Sequence, residues 1–152
     1  MNSTLTQNQY KSWLIDNASS WSIAGTIRSS YTLTTTKLEK YCRLILRYNP
    51  DIRQILYVIE LDSDPYSDET DQICHYTRKI VLGTHAHLLV DTASRFVDKP
   101  LPNSVQRNQP FFIPFWKKMH PGEVKNYVKY NLPKMKKDGS NWGLVLQEVL
   151  QE

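Results

Sequence analysis

The chain has 152 residues, of which 40% are hydrophobic and 22% charged, the composition of one soluble globular domain. No apolar run reaches the roughly 18 residues that a membrane helix needs. The polar stretch Met1 to Gln9 lacks the basic start and apolar block of a secretory signal. We therefore expect one cytoplasmic domain over residues 1–152 with no membrane partner. Two cysteines, Cys42 and Cys74, cannot form a disulfide framework, and we expect both to be reduced.

The formal net charge of +4 is unevenly distributed. Six acidic residues lie between Glu60 and Asp71, and seven lysines lie between Trp116 and Lys137. A basic C-terminal third indicates a polyanionic partner.

The first half of the chain predicts two helices and two strands. Spacing predicts a short helix over Asn8–Asp16, and alternation predicts a strand over Trp21–Ile27. Apolar residues at three- and four-residue spacing predict a helix over Thr34–Tyr48, which a threonine can cap and Asn49-Pro50 ends. Gln54–Asp62 is the strongest strand pattern.

The second half predicts a third strand, two loops and a long helix. Ser63–Ile73 is polar and predicts a loop, and His75–Val90 contains the third strand, with room for a hairpin arm before it. Three prolines indicate a loop over Asp98–Pro110. An aromatic cluster follows, made of Phe111, Phe112, Phe115 and Trp116.

His120-Pro121 places a proline in the first turn of a helix, where its missing N–H is not needed. Pro133 should kink or end this helix near Leu132. The tail Trp142–Leu150 is consistent with a last strand or a short helix. The order of elements predicts an α+β domain: a central antiparallel sheet with helices packed against it.

Two histidines occupy alternate positions of the strand predicted within His75–Val90. His85 and His87 therefore point to one face, whereas Ala86, Leu88 and Val90 point to the other and form a predicted core. Neighbouring neutral imidazoles are natural ligands for a divalent metal ion.

Glu60 ends the preceding strand, where an unpaired charge beside apolar residues would be costly. If the two strands pair, Glu60 completes a site of two histidines and one carboxylate with open positions. Asp62 is the alternative third ligand. Such a mixed site suits Mg²⁺ or Mn²⁺ better than a closed structural zinc site, which needs four ligands.

Two tyrosines and a lysine share one flank of the predicted helix: Tyr127, Tyr130 and Lys134. A tyrosine hydroxyl attacks a phosphodiester only when the phosphate is polarised and a cation stabilises the charge that develops. Lysine can supply that cation. Helix periodicity turns Tyr127 more directly toward the sheet.

These pieces resemble the HUH endonucleases, specifically rolling-circle replication initiators. The family's two histidines around one hydrophobic residue correspond to "THAHLLV", and its strand-ending glutamate to "YVIE". Its tyrosine motif, V-x-x-Y-x-x-K-Y-x-x-K, is close to Val124 through Lys134. The resemblance covers roughly Ser20 to Lys137. One residue is missing between Tyr127 and Lys129, and one is extra between Tyr130 and Lys134.

The resemblance implies a ferredoxin-like or RRM-like fold with a tyrosine-bearing C-terminal helix. It implies metal-dependent, sequence-specific nicking and joining of single-stranded DNA through a 5′-phosphotyrosine, as at a plasmid or virus origin. The metal ligands would be His85, His87 and Glu60. The nucleophile would be Tyr130, or Tyr127 as second choice. Lys134 or Lys129 would be the assisting cation. Four lysines are expected to contact the DNA: Lys125, Lys129, Lys136 and Lys137.

The absence of a GxxxxGK[ST] motif implies dependence on a host helicase. Three other functions stay open on the sequence: a single-tyrosine transposase of the same fold, a noncatalytic RRM-like nucleic-acid-binding module, and a zinc-stabilised structural protein. The binding module lacks the aromatic pair expected on adjacent strands.

Overall fold

The computed structural model describes residues 21–29, 32–61, 84–92, 98–136 and 139–148, together with Gln9, Ser12 and Asp16. These last three are helical, in agreement with the helix predicted over 8–16; the rest of that stretch lies outside the described residues. So do Cys74 and the whole loop predicted over Ser63–Ile73. Within the described residues, no helix is both long and apolar enough to cross a bilayer.

Five strands with described bounds form one sheet: β1 (Trp21–Ser29), β2 (Ile52–Leu61), β3 (Thr84–Thr92), β4 (Phe111–Lys118) and β5 (Trp142–Leu146). The helices with described bounds are α1 (Thr35–Tyr48), the short α2 (Asn103–Gln106) and α3 (Pro121–Asn131), which a 3₁₀ turn extends over Leu132–Lys134.

The strand order across the sheet is β4-β1-β3-β2-β5, and every neighbouring pair is antiparallel. The first four strands have the order and connections of a ferredoxin-like fold, in which β3 lies between β1 and β2. Strand β5 adds a fifth position outside β2. The predicted α+β architecture with a central antiparallel sheet is therefore confirmed.

Helix α1 forms where the sequence predicts it. The Thr34 hydroxyl accepts a hydrogen bond from the Lys37 amide at 3.2 Å, which caps the first turn. At the other end the Asn49 side chain donates to the Ile45 carbonyl at 2.8 Å. Its apolar stripe is buried: Leu38, Tyr41, Cys42, Ile45 and Leu46.

The sheet has a core on each face. Helix α1 packs on the face that contains Ile27, Tyr57 and Leu88. Helix α3 packs on the opposite face, where its Val124 and Val128 meet a second set of sheet residues: Trp21, Ala24, Leu56, Val58 and Leu89. This second face also carries the two histidines, so α3 sets the border between packed core and site.

Three regions refine the sequence predictions. The loop predicted over 98–110 contains the short helix α2, and the aromatic cluster behind it is an edge strand, β4. In the tail predicted over Trp142–Leu150, residues Trp142–Leu146 form strand β5, and residues 149–150 lie outside the described residues. Helix α3 ends at Asn131 because Pro133 cannot donate the next helical hydrogen bond, and the chain continues as a 3₁₀ turn.

Gly143 permits a close approach between β2 and β5. It lies opposite Tyr57, and a Cβ atom built on Gly143 would stand 2.5 Å from the Tyr57 hydroxyl oxygen and 2.7 Å from Cζ. Tyr57 is 2% exposed, so neighbouring side chains enclose its ring and an added methyl group cannot easily push it aside.

We expect Gly143→Ala to lower the free energy of unfolding by about 1–3 kcal/mol, the usual cost of overpacking. Urea unfolding followed by circular dichroism measures it. Gly122→Ala is the matched control, because nothing lies within 4 Å of its Cβ position in α3 and alanine favours a helix. Equal stability of the two variants would contradict the close packing against Tyr57.

Candidate metal centre and tyrosine helix

Strand register brings the three predicted ligands together. Glu60 on β2 lies directly opposite His85 on β3, and Val58 lies opposite His87. Directly opposite residues of an antiparallel pair share a face, so Glu60 stands beside both imidazoles. The residues on the other face of β3, Ala86 and Leu88, are fully buried, as predicted.

The donor atoms of the three ligands converge. The Glu60 Oε2 atom lies 2.7 Å from His87 Nε2 and 3.2 Å from His85 Nε2, and the two Nε2 atoms are 3.2 Å apart. The rings meet edge to face, at an interplanar angle of 85°. All three side chains are partly buried.

This triangle fits a divalent cation. Ligands at adjacent corners of an octahedron with metal–ligand distances of about 2.1 Å are about 3 Å apart. The observed separations bracket that value, and two imidazoles with one carboxylate leave further positions open for water or substrate. The residues Glu60, His85 and His87 could therefore hold a metal ion.

The protonation states also suit metal binding. Burial lowers the pKa of His87, although the hydrogen bond to Glu60 opposes this effect, so the imidazole is neutral near pH 7. Burial acts to raise the pKa of Glu60, but the hydrogen bonds from Lys134 and His87 and the positive charge of Lys134 outweigh it, and the pKa lies below its usual value. A neutral imidazole and an ionised carboxylate are the forms that bind metals.

Lys134 joins the metal centre to helix α3, which carries Tyr127 and Tyr130. Its Nζ atom donates to Glu60 Oε2 at 2.9 Å and also lies 3.7 Å from the centre of the Tyr130 ring. Its ammonium group is thus placed between a ligand carboxylate and an aromatic face. The cation–π contact and the ion pair hold the side chain in one position.

The two tyrosines differ in their surroundings. Tyr127 is half-buried, donates its hydroxyl to the Leu88 carbonyl at 2.9 Å, and has its ring centre 6.3 Å from that of His87. Burial raises its pKa well above the usual range. Tyr130 is 66% exposed. The prediction that Tyr127 faces the sheet more directly is therefore confirmed.

Asn141 is a positioning residue that the sequence did not reveal. Its side-chain amide donates to the carbonyls of Ile59, next to Glu60, and of Lys134, at 2.9 and 2.7 Å. Its Oδ1 atom accepts from the Lys136 amide at 2.7 Å. One side chain therefore ties the end of β2 to the turn that carries Lys134. Its position, shortly before the predicted tail strand, gave no signal of this role.

Strand β1 adds two more residues to the ligand face. Thr26 lies directly opposite His87. Arg28, which is 9% exposed, shares that face and lies at the level of His85, one position beyond the pair Ile27–Ala86. The Arg28 backbone thus lies beside that of His85. The alternation along β1 predicts that Thr26 and Arg28 share a face, but not that this face is the one with the histidines.

The other predicted site residues are separate from the centre. At 3.6 residues per turn, Lys125 and Lys129 lie on the flank of α3 opposite Tyr127, and both are exposed. Lys136 is exposed beyond the 3₁₀ turn. Asp62, the alternative ligand, and Lys137 lie outside the described residues.

No protein-family model, curated protein or solved structure matches the chain. The chemistry of the centre must therefore be inferred from its residues and their geometry.

We expect the wild-type protein to bind one Mn²⁺ ion, and His87→Ala to weaken this binding by about 100-fold or more, since loss of even a supporting residue costs 10- to 100-fold. Isothermal titration calorimetry gives both affinities. His120→Ala is the matched control, because His120 is 79% exposed and lies before α3, away from the centre. An unchanged affinity in His87→Ala would exclude this residue as a ligand.

The free energy of unfolding without metal should fall as the pH drops below about 6.5. The pKa of His87 is lower in the folded protein than in the unfolded chain, so the unfolded chain binds more protons in this range. Urea unfolding in EDTA between about pH 7 and pH 5 measures the slope, which should be smaller in His87→Asn. Identical slopes would show that burial does not keep His87 neutral.

Proposed function

We propose that this protein is a metal-dependent nuclease that nicks and rejoins single-stranded DNA through a phosphotyrosine intermediate. The observation that carries the proposal is the position of Lys134, whose ammonium contacts both the ligand carboxylate of Glu60 and the ring of the exposed Tyr130. A metal-ligand set and a nucleophile candidate thus meet through one cation.

Glu60, His85 and His87 would hold Mn²⁺ or Mg²⁺, which supplies positive charge to polarise the scissile phosphate. The three side chains come from two adjacent strands, so the sheet fixes their spacing before any ligand binds. Such preorganisation matters because charge stabilisation is most effective when the groups need not move during the reaction.

Tyr130 is the proposed nucleophile because its side chain is accessible and lies beside a cation. Its phenol oxygen forms the new bond to phosphorus as the hydroxyl proton passes to a solvent water. The bond between phosphorus and the 3′ oxygen breaks, and that oxygen takes up a proton from solvent to become a free 3′-OH. Lys134 would stabilise the negative charge on the phenol oxygen during the attack.

The covalent link conserves the energy of the phosphodiester bond. A 3′-OH can therefore attack the phosphotyrosine and restore a continuous strand without ATP. Tyr127 is the second candidate for the nucleophile. Its hydroxyl is engaged with the Leu88 carbonyl, and burial disfavours its phenolate form, so it would first have to leave this position.

Initiation of rolling-circle replication is the proposed biological use of this reaction. The DNA would be the single-stranded part of an origin, in the cytoplasm of the host cell, and a separate helicase would unwind the duplex. The exposed lysines Lys125, Lys129 and Lys136 lie away from the metal centre, so they would contact backbone phosphates in a flanking part of the DNA strand, and binding should then weaken as salt increases.

We expect Tyr130→Phe to reduce covalent adduct formation by at least about 100-fold, because removal of the nucleophile leaves no atom to form the bond. The assay incubates the protein with Mn²⁺ and a 3′-labelled single-stranded DNA pool with a randomised centre. A denaturing gel then separates protein–DNA adducts.

Tyr127→Phe is the matched control and should retain the adduct, whereas EDTA should abolish it in every variant. Loss in Tyr127→Phe alone would make Tyr127 the nucleophile. No adduct with the wild-type protein under any of these conditions would overturn the nuclease assignment.

A further inference from the structure

Strand β4 exposes one of its aromatic residues on the ligand face of the sheet. Phe111 and Phe112 are buried, and Trp116 packs with the core under α1. Phe115 differs from them, because 47% of its surface is exposed. The aromatic cluster of the sequence is thus divided between core and surface.

The register of the sheet locates Phe115 relative to the metal centre. It lies directly opposite Thr26 on β1, and Thr26 lies directly opposite His87 on β3. The three residues therefore form one row across the sheet and share a face. At about 4.8 Å between strands, Phe115 is about 10 Å from His87.

From Thr26 to Phe115, this row is outside the area covered by α3. The helix packs on Ala24, Leu56 and Leu89 in the next row, and it reaches the Thr26 row only at the other end, where Val58 belongs to the core under α3 and the Tyr127 ring faces His87. Thr26 and His87 are only partly buried, and Phe115 stands at the open edge. An exposed ring beside a partly open row is a suitable platform for a flat, apolar ligand.

The charge around Phe115 favours a polyanion. Lys117, two residues along β4 and on the same face, is exposed, and its ammonium group lies 3.4 Å from a carboxylate oxygen of Glu123. Lys118 at the end of the strand is also exposed but belongs to the opposite face. An aromatic ring with neighbouring cations is the arrangement that binds unpaired bases together with their phosphates. A stacked strand rises about 3.4 Å per nucleotide, so about three nucleotides cover the distance to His87.

We propose that Phe115 stacks on an unpaired base of a single-stranded DNA that crosses the sheet from the metal centre to β4. This inference rests on the proposed function, because the scissile phosphate would lie at Glu60, His85 and His87. Phe115 would then set the position of the strand about three nucleotides from the bond that is cut.

The test measures DNA binding without cleavage. Fluorescence anisotropy in EDTA follows a labelled twelve-nucleotide oligothymidylate and a random-sequence strand of the same length. Phe115→Ala should weaken binding by about 5- to 150-fold, the range observed when a base-stacking ring is removed. Phe115→Trp should retain or increase the affinity, and Phe115→Leu, which keeps apolar bulk without a ring, should resemble Phe115→Ala.

Tyr48→Ala is the matched control, because Tyr48 is also an exposed aromatic residue but ends α1, on the opposite face of the sheet. Its affinity should equal that of the wild type, and thermal unfolding should show that all variants are folded. Equal affinity of Phe115→Ala and wild type, or full binding by Phe115→Leu, would overturn the stacking role. Adduct formation by Phe115→Ala at saturating DNA would then still support the nuclease assignment, so the two failures are distinguishable.

Discussion

A partly buried carboxylate requires compensating charge, and in this protein that requirement organises the site. Glu60 ends a central strand, and desolvation disfavours its charge unless partners replace the lost water. Two imidazoles come from β3 and an ammonium group from the turn after α3. The contact between Glu60 and Lys134 is therefore the electrostatic link between the sheet and the turn after α3. Asn141 fixes the backbone on both sides of this contact, because it binds the carbonyls of Ile59 and Lys134.

One sheet face carries both core residues and the candidate metal ligands because α3 covers only part of it. Under the helix, Leu56, Leu89 and Val128 form a buried apolar core. One row further along the strands, His87 and Thr26 stay partly accessible. The core thus supports the strands rigidly, and strand register fixes the positions of Glu60, His85 and His87. Residues that are far apart in the sequence therefore meet at the candidate metal centre.

The parts that could be predicted from the sequence are those governed by strict periodicity. Alternation along β3 placed His85 and His87 on one face, and the strong β2 pattern placed Glu60 near them. Strand β4 was missed because Pro114 interrupts it; an edge strand tolerates proline, and here a bulge opposite β1 inserts one extra residue. Asn141 was missed because its role depends on contacts between loop and strand that no local pattern encodes.

The internal ion pair has a consequence for how the protein would acquire its metal. Since Lys134 already balances the charge of Glu60, the chain does not need a bound ion to fold around that carboxylate. An entering cation must instead displace the ammonium group of Lys134, which stays close to Glu60 because it belongs to the same chain. The bound ion would therefore be exchangeable. The relative abundance of Mg²⁺ and Mn²⁺ in the cell, more than any intrinsic preference of the site, would then decide which one it carries.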